Sequence, residues 1–126
     1  MPRADPLHRF REICLQLPEA YEEETWGEAT FRVRKKIFAM AADHDGGRTV
    51  CMKADRDDQQ ALLSQGEPFF FPRYVGSKGW IGVDIASVSV DWAEIAELVR
   101  DSYRLIAPKK LSAALDESLL ESTDTS

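Results

Sequence analysis

Four cations crowd into five positions of the stretch WGEATFRVRKKIFAMA, which spans 26–41: Arg32, Arg34, Lys35 and Lys36. Guanidinium forks and ammonium point charges at this density suit phosphate oxygens. On a strand Arg32 and Arg34 point the same way, and a corner at Lys35 or Lys36 widens the cationic edge enough to straddle a phosphate. The same charges have a second use, because cations on an exposed hairpin discourage edge-to-edge aggregation. Lys53, Arg73 and Lys78 extend the patch if the sheet carries them to one place. Tyr74 and Trp80 are candidates for stacking on a base, although Trp80 opens a strand and suits the core as well.

Residues able to run covalent or metal chemistry are sparse. His8 and His44 are the two histidines, one on the exposed side of a helix and one in a turn. The chain has no H-x-x-x-H, C-x-x-C, G-x-S-x-G, Walker loop or G-x-G-x-x-G. The carboxylates of Glu22–Glu24 and of Asp55, Asp57 and Asp58 read as a solvated run and a helix N-terminus, where acids complement the dipole. We therefore expect no enzyme, no catalytic residue, no cofactor and no metal.

The charge balance qualifies the cationic reading. The 126 residues carry 16 bases and 22 acids, net −6. Residues 116–126 hold four acids and no base, so residues 1–115 carry 16 against 18. Residues 29–54 hold six bases and two acids, whereas 1–28 hold three bases and seven acids. Charge of alternating sign does not describe a generally basic nucleic-acid binder; any such contact must be local. No apolar run approaches a membrane span of about 18 residues, and the N-terminus lacks the apolar core of a secretory signal. Cys14 and Cys51 sit far apart in apolar-periodic segments, which reads as two thiols in a reducing cytoplasm.

The elements that must position these groups follow from periodicity. Asp5–Pro6 opens a helix over 5–17 with Leu7, Phe10, Cys14 and Leu17 on its buried stripe, and Pro18 ends it. EAYEEE reads as an acidic loop or lead-in. Phe31 and Val33 alternate with arginines as one strand, Lys36–Ala41 forms a second, and RTVCMK, after the glycine turn at Asp43–Gly47, a third. The Arg34–Lys36 corner lacks the Asn-Gly of a primed turn. Asp55 or Asp57 caps a short helix that stops at Gly66. The segment 66–90 is punctuated by prolines and glycines, must pack some of its three phenylalanines, and contains one strand or two, WIGVDI among them. Asp91 and Glu94 form a capping box for a helix with Trp92, Ile95, Leu98, Val99, Ser102 and Ile106 on one face. Pro108 breaks it and opens another with Leu111, Leu115 and Leu119 in register.

Taken in order, the helix ending in LPEA, WGEATFRVRKKIFAMA, CMKAD, GWIGVDI and VDWAEIAELVRDSYRLIAPKKL resemble the MmcQ/YjbR family across about 5–112. Lys36–Ile37–Phe38–Ala39, Lys53, Gly79–Trp80 and Ser102–Tyr103 carry the resemblance most specifically. One departure is that the family's first hairpin often has a glycine where this chain has Arg34–Lys35. The resemblance implies an α+β two-layer sandwich, an antiparallel sheet with helices packed on one face, likened to CyaY and to secretion chaperones. It also implies the description DNA-binding protein, with no catalytic residues attached.

The expectation is thus a single domain over 1–115 in the order α-β-β-β-α-β-β-α, with an acidic flexible tail over 116–126. Its function is contact with DNA phosphates through Arg32, Arg34, Lys35, Lys36, Lys53 and Lys78, weak and salt-dependent. The alternative is a non-catalytic interaction module that presents its sheet face or edge to a protein partner or to its own copy.

Overall fold

The computed structural model describes residues 5–25, 27–41 and 49–124. Asp5 caps α1 (Pro6–Leu15), its carboxylate accepting from the Leu7 N–H at 3.3 Å. Four strands follow as a meander: β1 (Tyr21–Thr25), β2 (Glu28–Val33), β3 (Lys36–Ala41) and β4 (Thr49–Met52). α2 (Arg56–Gln65) starts on Asp55 and stops at Gly66, as the sequence predicts. A short β5 (Phe69–Phe70), a 3-10 turn at Gly76–Lys78 and β6 (Ile81–Asp84) lead to α3 (Trp92–Ile106) and α4 (Lys109–Asp124). The strands are antiparallel in the order β1-β2-β3-β4-β6-β5. The α+β sandwich expected from the sequence is the observed architecture.

The ladder sorts every strand residue onto one of two faces. Phe31, Ala39, Met52 and Ile81 stand opposite one another, as do Ala29, Ala41, Val50, Val83 and Phe69. These rows meet α1 and α3: Phe10 packs edge-on to Phe31 at 5.8 Å and Tyr103 edge-on to Phe38 at 5.7 Å. The register shifts between Phe31 and Arg32, so Phe38 has no partner opposite it and both Phe38 and Ala39 are buried. The other face carries the row Glu23, Thr30, Met40, Cys51, Gly82 and Phe70.

Two expectations need correction. The acidic run is strand β1, not a loop, because its backbone pairs with β2 from Glu28 to Arg32 while its glutamates stay exposed. Segment 66–90 forms the second of the two arrangements expected for it, two strands, with β5 joining the edge beside β6. On α3, Ile95, Val99, Ser102 and Tyr103 are buried, whereas Trp92, Leu98 and Ile106 are only partly so. The helix stripe is therefore rotated toward Tyr103. The helix expected to follow Pro108 with Leu111, Leu115 and Leu119 in register is α4, which runs on to Asp124. The turn expected at Asp43–Gly47, with His44, lies outside the described residues.

Candidate nucleic-acid interface

Arg34 and Lys35 form the two-residue turn between β2 and β3, with φ of 50° and 71°. Two left-handed residues give a hairpin turn that matches the sheet's twist, a geometry that favours glycine or asparagine. Each non-glycine residue there costs roughly 1–2 kcal/mol. The turn is held from outside. Arg34 forks onto Glu19, Nε to Oε1 at 2.8 Å and Nη2 to Oε2 at 3.1 Å. Glu19 itself has φ 59° and follows Pro18, whose carbonyl accepts the Tyr103 hydroxyl at 2.8 Å. The Arg34 hydrogen bond holds the Glu19 carboxyl below its ordinary value, the charges of Arg34 and Lys110 adding to it. Burial, then Glu19, raises Tyr103.

Arg32 does not share Arg34's direction, because Arg34 has left the strand. Its guanidinium lies along the sheet face, donating to Thr30 Oγ1 at 3.1 Å and Thr25 Oγ1 at 2.8 Å and meeting Glu23 at 3.2 Å. With its side chain 17% exposed, Arg32 clamps β1 to β2 and is not free for phosphate. The expected pair of parallel arginines is absent for that reason.

Lys53 follows β4. Its N–H donates to the Phe38 carbonyl at 3.1 Å and its own carbonyl accepts the Ser102 hydroxyl at 2.5 Å. The residue lines a cleft of ≈ 300 Å³ beside Asp55, Asp58 and Asp101. Asp58 is raised above the ordinary carboxylate value by desolvation and then by Asp55, Asp101 and Asp57. Lys53 therefore shares its cleft with three carboxylates and with Arg104, apart from the hairpin cations. Lys78 is exposed on the 3-10 turn, which Arg56 ties down by donating to the Ser77 carbonyl at 3.0 Å.

Ser102 and Tyr103 thus bind α3 to the end of β4 and to the turn that carries Glu19. Trp80, 8% exposed, precedes β6 as a core residue. A family model described as YjbR matches residues 15–105, which contain all of these ties. The chain belongs to the YjbR family. It is also similar to the Deinococcus radiodurans protein DR2400, whose crystal structure carries a DUF419 domain. The two share 20% identity and a TM-score of 0.72, over 93% of this chain and 91% of that one, a likeness of fold. No curated protein matches the chain.

Within this YjbR domain the six predicted site residues share one end of the sheet, where β2 turns into β3, β4 ends and β6 begins. They do not form one surface. Lys35 and Lys36 are exposed at the tip, and Lys78 is on the 3-10 turn that precedes β6, a strand two places from β3 in the sheet. Sequence reasoning missed two further cations. Lys109 and Lys110 begin α4, both exposed, and Lys110 acts on Glu19, the partner of Arg34. Cations in a first helical turn oppose the helix dipole. That broken local rule was the available signal. Tyr74, 88% exposed, lies on the loop after β5. Among the described residues, no cluster of three His, Cys, Asp or Glu side chains is placed to hold a metal, and no helix is long and apolar enough to cross a membrane.

Proposed function

We propose that the chain is a non-catalytic, weak DNA-phosphate binder that uses Lys35, Lys36, Lys109 and Lys110, with Arg34 held beside them by Glu19. What supports the reading is that Arg34 of the hairpin turn forks onto Glu19, whose carboxyl the charge of Lys110 at the start of α4 also helps hold low. Strain at an exposed turn and lysines against a helix dipole are two departures from local preference, and such departures gather at functional sites. Neither cysteine forms a disulfide, in keeping with a cytoplasmic setting.

Affinity for duplex DNA is expected on the order of 10⁻⁴–10⁻⁶ M near physiological salt. Its log–log salt slope is expected at about −0.9 for each phosphate neutralised. Changing Lys35, Lys36 and Lys110 to Gln removes three exposed charges and should flatten the slope by about 2–3 while the thermal transition stays put. Identical titrations for the two proteins, or no binding at low salt, would sink the reading. The second reading, an interaction module, finds support at the sheet face and not at the edges. β1 lines its edge with Glu22, Glu23 and Glu24, and β5 is two residues long between Pro68 and Pro72.

A further inference from the structure

The sheet face turned away from α1 and α3 holds a groove of ≈ 680 Å³. Met40 and Cys51, directly opposite each other on β3 and β4, lie on its floor. The loop after β5 forms a wall, and two glycines fix where that wall stands. A Cβ on Gly82 would lie 2.5 Å from the Phe70 ring, and one on Gly76 2.5 Å from the Phe71 ring. Only glycine at both positions lets the rings approach the backbone this closely. Phe71 is 56% and Tyr74 88% exposed, and Tyr74 is held at φ 66°, an outlier for an aromatic residue. Rings displayed beside a groove need a use, since nothing in the core requires them there.

The volume falls in the range of small-molecule sites, and the lining has their character: mainly apolar, with a few polar groups. Those groups are unequal. Glu28 is half-buried and makes no ion pair with a described residue, whereas Arg73 is exposed at the rim. A carboxylate partly removed from water acts more strongly on a ligand than a solvated guanidinium does. Ring faces attract cations, and the Met40 thioether favours aromatic partners.

We propose that this groove binds a small aromatic molecule carrying a cationic amine, its ring among Phe70, Tyr74 and Met40 and its ammonium toward Glu28. The inference does not depend on phosphate binding at the sheet end, which uses other residues. It concerns a free small molecule; an apolar peptide would need the long open edge that this sheet lacks.

The chain contains its own reporters. Met40 lines the groove while Met52 is fully buried, and Cys51 lines it while Cys14 is 0% exposed. Tryptamine, indole and indole-3-acetate serve as cationic, neutral and anionic probes of one ring system. With methyl-labelled methionine, tryptamine should shift the Met40 resonance and slow maleimide labelling of Cys51, leaving Met52 unmoved. Tryptamine should bind about tenfold more tightly than indole-3-acetate, as one hydrogen-bonded charge contact supplies. Glu28→Gln should erase that preference, and Gly82→Ala should weaken all three probes by moving the wall. Glu28→Gln keeps the size and shape of the side chain, so the test survives if Gly82→Ala fails to fold. Lys35→Gln with Lys36→Gln should leave probe binding unchanged, which separates this site from the DNA reading. An unmoved Met40 resonance with all three probes, or indole-3-acetate binding as tightly as tryptamine, would overturn the proposal.

Discussion

Met40 and Met52 lie on neighbouring strands, yet they belong to different faces of one sheet. Met52 is 0% exposed beneath the helices, and Met40 is half-buried on the floor of the groove. The cysteines divide likewise. Burial raises the Cys14 thiol well above its ordinary value, whereas Cys51 stands on the open face. The covered face is selected for volume and apolarity. The open face keeps threonine, cysteine and glycine, which suit a ligand surface better than a core. Side chains alternate along a strand, so slipping by one residue would exchange the faces.

The largest expected contrast follows from that division. Met52→Ala should destabilise by about 2–5 kcal/mol, as closed core truncations do. Met40→Ala should cost about 1 kcal/mol or less, because a half-open site leaves no sealed cavity. Urea denaturation of the two variants measures the difference. Equal losses would mean that the open face is packed like the core.

Gly82→Ala is next in size. The new methyl must push the Phe70 ring from its place, at a cost of about 1–3 kcal/mol, the usual range for overpacking. The melting temperature should fall and Cys51 should label faster as the wall retreats. A neutral substitution would show that the ring adjusts freely and that the glycine does not fix the wall.

The sequence conveyed the covered face and not the open one, for physical reasons. Phe31, Val33, Ile81 and Val83 recur with period two, and α3 announces itself through Asp91, which caps the Ala93 N–H at 3.0 Å. β1 left no such trace. Three consecutive glutamates have little intrinsic preference for a strand, and only the ladder with β2 makes them one. The candidate site was legible in composition but not in geometry. Arg32 and Arg34 do cluster, but Glu23 and Glu19, distant along the chain, absorb both. Lys110 acts on Glu19 through the fold alone.

Lys35→Gly sets stability against binding at that tip. A glycine relieves the left-handed backbone, which costs roughly 1–2 kcal/mol for other residues, and loses part of that through its freer unfolded chain. A net gain of about 0.5–1 kcal/mol is expected, together with a DNA salt slope flatter by about 0.9. Stabilisation with an unchanged slope would leave the strained lysine without a role in binding.

The smallest effect concerns the cleft that holds Lys53 apart from the hairpin cations. Desolvation, helped by Asp55, Asp101 and Asp57, raises the folded pKa of Asp58 above its unfolded value. The folded state therefore holds more protons than the unfolded one between those two values, and stability falls as pH rises through them. Below about pH 4 both states are protonated and the penalty vanishes. Asp58→Asn removes the charge but not the helix start, which depends on the Asp58 backbone N–H donating to Asp55 Oδ1 at 2.8 Å. The variant should be slightly more stable than the parent at pH 7 and indistinguishable from it at pH 3.5. Its DNA salt slope should match the parent's, because Lys53 faces the cleft. A steeper slope in Asp58→Asn would show that Lys53 can be recruited to phosphate once its acidic neighbours are reduced, and would return it to the interface from which the cleft now separates it.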